Sequence, residues 1–217
     1  MPSQAQVNHF LNHPEQFLRR HSLRWRGPAP DDQSVIDVAM VDRAGTARIR
    51  TGARFLGMGN AKADSPMFEL RRAGNGGSQV PPGTPTFQVQ WSGYKAGQGR
   101  TARLPAAGGP GIMLTPEFTG CTAVCRTNRD GSAEFSHYNL MNGTATLDDA
   151  DMRAIAQAEY GGGQATMTKG DVRARGKGSG AVVATVVGVR RVGGWEFWAQ
   201  IRETKSSGEQ IRAVERL

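Results

Sequence analysis

Residues 181–203 constrain the fold more than any other stretch. Ala181-Val182-Val183-Ala184-Thr185-Val186-Val187 opens an almost wholly apolar run that reaches Val192, where Gly193-Gly194 interrupts it. A β-branched run closed by two glycines reads as a strand entering a tight hairpin. It lacks alternation, so both of its faces must be covered. The return arm does alternate, with Trp195, Phe197, Ala199 and Ile201 against Glu196, Trp198, Gln200 and Arg202. The pair is expected at the centre of the core. The tail from Lys205 is polar and is expected to be exposed.

The rest of the chain divides into short strands and a few helices. Residues 34–41 read as a strand that turns at Asp42-Arg43-Ala44-Gly45 into a return arm over 47–50. Residues 67–72, 86–91 and 100–104 follow as strands, with Phe87, Val89 and Trp91 facing inward. Long Gly/Pro loops cover 73–85 and 105–111, and the second runs toward Thr115 as a candidate substrate rim. Helical spacing links Val7, Phe10, Leu11, Phe17, Leu18 and Leu23, with Pro14 opening a second helix. It returns over 146–160, where Thr146 is the expected cap and Gly161-Gly162-Gly163 the stop. The fold class is therefore α+β, with many strands and few helices. Gly27-Pro28-Ala29-Pro30-Asp31-Asp32 reads as a linker between a helical extension, 1–26, and a main domain, 34–217.

Chemistry concentrates in residues 115–139, which hold both cysteines, Cys121 and Cys125, and His137. Asn128-Arg129-Asp130-Gly131 is a strong turn signal, and its flanks alternate as a β-hairpin. Cys121, Ala123 and Cys125 share one face of the first arm; Ala133, Phe135, His137 and Asn139 share one face of the second. A turn centred on Arg129 sets Cys121 directly across from His137, with Cβ atoms about 4.5–5.5 Å apart. A shift of two residues sets Asn139 across from Cys121 and leaves His137 diagonal; a shift of one separates the faces. A thiol beside an imidazole is the minimal activated nucleophile, and the pair is expected as a thiolate–imidazolium near neutral pH. Gly120 leaves room for a substrate and for backbone N–H groups of Gly120 and Cys121 to meet an oxyanion.

Thr115, then Thr119-Gly120-Cys121, then His137 on the next strand resembles the catalytic pattern of the cytotoxic necrotizing factor-like glutamine deamidases. The Burkholderia lethal factor-like and chemoreceptor deamidases share it. The resemblance covers the 115–139 stretch alone. It implies a β-sandwich-like core of mixed sheets flanked by helices, with the cysteine at the sandwich edge. It implies a toxin or effector hydrolase, secreted or injected by a dedicated system, with Cys121 as nucleophile, His137 as general base and acid, and Thr115 as an orienting hydroxyl. Asn139, on the face of His137, is a further candidate. The resemblance implies no cofactor, and a partner protein carrying the glutamine, such as a small GTPase or a translation factor. If an amine displaces water, the same site is a transglutaminase.

The net charge of +8 also suits an acidic partner. A basic nucleic-acid-binding or nucleic-acid-acting toxin domain, and a cysteine amidase acting on peptidoglycan, are the alternative readings. Lys169, Arg173, Arg175 and Lys177 lie among glycines and read as a basic loop. Two cysteines four apart on a strand sit about 13 Å apart, too far to bridge or to share a zinc ion with His137. His9 and His13 could pair on a helix, but Pro14 breaks the register. Gly57-Met58-Gly59-Asn60 lacks the third glycine and the lysine of a phosphate loop. The N-terminus has neither the basic nor the apolar region of a secretory signal, and no run is long enough to span a bilayer.

Overall fold

The computed structural model describes residues 1–27, 33–50, 62–74, 80–93, 97–142, 145–176 and 180–217. The Gly-x-Gly reading at 57–60 and most of the expected linker at 27–32 lie outside them. Helices α1 (Gln4–Asn12) and α2 (Pro14–Arg20) lead into strands β1 (Ser22–Arg26), β2 (Gln33–Arg50), β3 (Lys62–Arg72) and β4 (Thr86–Ser92). Next come β5 (Gly99–Leu104), β6 (Ile112–Leu114), β7 (Thr122–Thr127) and β8 (Ala133–Tyr138). The short strands β9 (Met141–Asn142) and β10 (Ala145–Thr146) pair with each other. Helix α3 (Asp149–Tyr160), β11 (Ala165–Met167) and α4 (Lys169–Arg175) precede β12 (Ala181–Arg191), β13 (Gly194–Lys205) and β14 (Gly208–Arg216).

The larger sheet runs β1-β3-β2-β14-β13-β12-β6-β4, and β4 also pairs with β2. Strands β2, β14, β13, β12, β6 and β4 therefore close into a ring. The length of β2 makes this possible. Its first half pairs with β4, and its second half reaches β3 and, at Ala47 and Arg48, β14. The turn expected at residues 42–45 is instead a bulge within this one strand, where the register with β3 shifts between Arg43 and Thr46. The two extra residues, Ala44 and Gly45, bend the strand without reversing it, and Gly45, at φ +96°, takes the conformation the bend requires.

The smaller sheet, β11-β7-β8-β5, lies against the outer face of the ring. Its Ala123, Cys125 and Phe135 share a buried cluster with Ala184, Val186, Phe197 and Ala199 of β12 and β13. Val187, Val189 and Trp198 point the other way, into the cluster that fills the ring. The central hairpin is thus covered on both faces, as its apolar run requires. The result is α+β, with a large mixed sheet packed on a smaller antiparallel one and flanking helices.

The N-terminal segment is not a separate extension. Val7, Phe10, Phe17 and Leu18 are at most 1% exposed and belong to the cluster inside the ring. Burial of each side chain contributes about 1.5–3 kcal/mol. After α2 the chain becomes β1, parallel to β3, so Leu23 lies on a strand and not on the helical run expected to include it. The buried Gln200 side chain ties the junction: its amide donates to the Leu18 and His21 carbonyls at 2.6 and 2.7 Å and accepts from Leu23 N–H at 3.0 Å.

The tail from residue 205 is not a free end either. Strand β14 lies between β13 and β2, with Glu209, Ile211 and Val214 buried. Its polarity misled because a buried ion-pair cluster, rather than apolar packing, receives Glu209.

Gly194, at the start of β13, lies against Thr127 and Gly131 of the β7–β8 hairpin. It sits at φ +121°, and a Cβ there would lie 2.8 Å from Thr127 Cγ2. Gly194→Ala is expected to lower stability by about 1–3 kcal/mol, through backbone strain and overpacking together. Urea denaturation checks this; an unchanged midpoint would show that the contact relaxes freely.

Candidate functional site

The segment entering the site is pinned to β12. Thr115 N–H donates to Val186 O at 3.2 Å, and Val186 N–H donates to Thr115 Oγ1 at 3.1 Å. Phe118 exchanges two backbone hydrogen bonds with Ala184, at 2.9 and 3.0 Å. Thr115, 1% exposed, therefore spends an acceptor lone pair on the β12 backbone. These bonds fix the run that leads to Gly120 and Cys121.

The expected hairpin forms, with a loop over residues 128–132. Asn128 N–H donates to Ser132 O at 2.7 Å, Ser132 N–H donates to Asp130 Oδ1 at 2.9 Å, and Gly131 takes φ +82°. Thr127 pairs with Ala133, so the turn centres on Asp130 rather than Arg129. Ala123 is consequently opposite His137, and Cys125 is opposite Phe135. Continued one step past the ladder, this register sets Cys121 across from Asn139 and diagonal to His137. The directly opposed pairing is corrected by two residues, which preserves the face. Cys121, Ala123 and Cys125 all point into the inter-sheet cluster. On the reverse face, Val124 and Tyr138 pack against Met152, Ala156 and Tyr160.

The surroundings of the dyad differ from the expectation. Cys121 is 6% exposed and His137 fully buried, with the Phe118 ring edge-on to the imidazole at 5.3 Å between centroids. Burial pushes the Cys121 thiol up to about 11 and the Cys125 thiol up to about 12. Burial pulls His137 down to about 3. The expected thiolate–imidazolium pair is therefore not the resting state. Thiol and imidazole are both neutral, because an apolar setting penalises each charged form.

The space nearest Cys121 along the chain lies at Gly120 and Thr119, and neither Cys121 nor His137 lines the cavity found there. A Cβ added at Gly120 would meet nothing within 4 Å. Beside it, Thr119, Arg173, Gly180, Ala181 and Val182 line a cavity of about 330 Å³. Arg173 also borders a neighbouring cleft of about 500 Å³ formed by the start of α3 and the start of α4. Neither cavity was visible in the sequence. The basic stretch expected as a loop from Lys169 is helical through Arg175, because Thr168 and Asp171 form a capping box. Arg175 pairs with Glu215 at 2.7 Å, while Arg173 stays exposed at the cavity. The 146–160 helix begins at Asp149, capped by Asp148 rather than Thr146.

Residues 105–111 do not form a rim for this site. Trp195 Nε1–H donates to Pro105 O at 3.0 Å and Arg190 binds the Gly108 and Gly109 carbonyls. These contacts hold the loop at the hairpin-turn end of β12, away from Thr119. Asn139 is half-buried, and its backbone bonds to Gly97 and Gln98. Among the described residues no three His, Cys, Asp or Glu side chains are grouped to hold a metal ion, and no helix is long and apolar enough to cross a membrane. Compared with known proteins, the chain matches no family model and no curated protein.

Proposed function

We propose that the protein is a cysteine-dependent amidohydrolase that converts a glutamine on a target protein to glutamate. The observation that carries this reading is the register of β7 and β8, which sets Ala123 across from His137 and so brings Cys121, one residue before β7, to the face of His137, directly after a glycine with open space before it. At rest His137 is neutral and, because burial lowers its pKa, a weak base; it gains basicity from the negative charge that develops on the substrate oxygen beside it. It takes the thiol proton as Cys121 Sγ bonds to the carboxamide carbon, so no charged pair has to be held in advance. The backbone N–H groups at Gly120 and Cys121 receive the oxyanion. The C–N bond breaks, and the proton on His137 leaves with ammonia. His137 then deprotonates a water that attacks the thioester, releasing glutamate and restoring the thiol. A primary amine in place of that water gives a transglutaminated product. Thr115 holds the entering segment, and Asn139, on the face of His137, is the candidate contact for the substrate amide.

The test compares the wild type with Cys121→Ser on a mixture of cellular proteins, read by the mass shift of amide-to-acid conversion at glutamine. Wild type is expected to convert a small set of glutamines. Cys121→Ser is expected to convert none while keeping the wild-type thermal melt. Conversion that survives the substitution would rule the reading out.

A further inference from the structure

Strand β12 has an unfinished edge beside the site. Its ladder with β13 runs along its whole length, from Ala181 to Arg191. On the other side its partners are β6 at residues 187–189, then Thr115 at Val186, then Phe118 at Ala184. In an antiparallel strand the N–H and C=O of a residue point to the same side, and the side alternates. Ala184 and Val186 both bond toward the Thr115–Phe118 run. The N–H and C=O of Val182 therefore point the same way, into the cavity that Thr119 and Val182 line. Among the described residues no backbone hydrogen bond reaches Val182 from that side. The chain leaves the edge at Thr119 and Gly120, where an added side chain would find open space.

We propose that this edge binds the target protein as an added strand: an extended segment pairs with Val182 and lays its glutamine over Gly120 and Cys121. The inference rests on the amidohydrolase reading for what happens to that glutamine, but not for the docking. Strand addition supplies affinity through main-chain hydrogen bonds and leaves specificity to side chains. The charge of the site selects the segment. Arg173 borders the cavity, is exposed and forms no ion pair among the described residues. A segment with acidic residues beside its glutamine matches it. An extended strand displays residues two apart on one face, so glutamates two positions either side of the glutamine share its face.

The probe is the capped, fluorescein-labelled peptide Thr-Glu-Val-Gln-Val-Glu-Thr, with Thr-Lys-Val-Gln-Val-Lys-Thr as its counterpart. Binding is read by anisotropy on full-length Cys121→Ser, so that no peptide is consumed. The acidic peptide is expected to bind about tenfold tighter, and adding Arg173→Glu to reverse the order. Adding Val182→Pro deletes an N–H that β13 does not use and is expected to weaken both peptides at least tenfold, whereas Val182→Ala, which keeps it, retains binding. Should Val182→Pro fail to fold, hydrogen exchange decides: the Val182 amide becomes protected when the acidic peptide is added. Absence of binding, full binding by folded Val182→Pro, or an unprotected Val182 amide overturns the added strand. An order unchanged by Arg173→Glu overturns the acidic preference. Ammonia release by the wild type separates the two readings. Val182-dependent binding without turnover keeps the docking edge and removes the deamidase, and turnover that ignores Val182 does the reverse.

Discussion

Glu209→Gln is expected to lower the unfolding free energy by about 3–5 kcal/mol, the usual cost of removing one partner from a buried ion-pair cluster. Glu209 is 4% exposed. It receives Arg43 at 3.0 Å and Arg202 at 3.4 Å, and it also binds Arg24 and the Ser22 hydroxyl. Arg202 is wholly buried and depends on Glu209, on Glu117 at 2.7 Å and on Thr185 Oγ1 at 3.1 Å. A neutral amide at 209 leaves the guanidiniums with too little opposing charge and turns an N–H toward one of them. Burial by itself would raise the Glu209 carboxyl, but Arg202, the Ser22 hydrogen bond, Arg24 and Arg43 together hold it below the ordinary range. Its contribution is therefore present above the pKa of an unfolded glutamate and is lost as pH falls through the lower native value. Urea denaturation at neutral pH measures the loss. A change below about 1 kcal/mol would mean that the cluster behaves as a surface network does.

The second large effect is an acid limb that begins well above the carboxylates. His137 is neutral in the native state down to about pH 3, since burial opposes its charge. An unfolded histidine takes its proton near pH 6.5. Between these values the unfolded state binds a proton that the native state does not, so stability falls as pH falls, by up to about 1.4 kcal/mol per pH unit. From pH 6.5 to pH 4.5 the wild type is expected to lose about 2–3 kcal/mol through this residue alone. His137→Phe keeps an apolar ring beside Phe118 and cannot titrate. Urea midpoints at pH 7, 6 and 5 should fall in the wild type and stay nearly level in the variant. His21, also shifted down by burial, contributes the same slope in both proteins and cancels from the comparison. Parallel slopes would mean that His137 reaches water more readily than its surroundings allow. The same substitution removes the proposed base, so deamidation should vanish in a protein that is more resistant to acid.

Both effects arise where polar groups are enclosed, and enclosure is what local pattern conveys least. The 181–203 hairpin was legible because an apolar run without alternation has only one stable setting, between two layers. The 122–138 hairpin was legible through its turn residues and alternation, but its register was not. A loop over 128–132 and one centred on Arg129 differ by two residues, and two residues leave every side chain on its original face. The shared face of Cys121 and His137 could therefore be read, whereas which residue stands across from the sulfur could not. Residues 42–45 looked like a turn because glycine and charged residues also suit a bulge, and only the partners of β2 on each side distinguish the two. Residues 208–216 looked like a free tail because Glu209 and its neighbours are polar. They become a buried strand because Arg24, Arg43 and Arg202 arrive from three other strands.

By itself, the sequence determined an α+β chain built on an apolar central hairpin, with a thiol and an imidazole on one face of a second hairpin. Side-chain alternation and turn chemistry are local and need nothing else. Tertiary structure alone decided that the large sheet closes, that the N-terminal helices fill it, and that the thiol and imidazole rest uncharged. Closure, enclosure and the energy of a charge all depend on what distant segments bring alongside, and no local pattern encodes that.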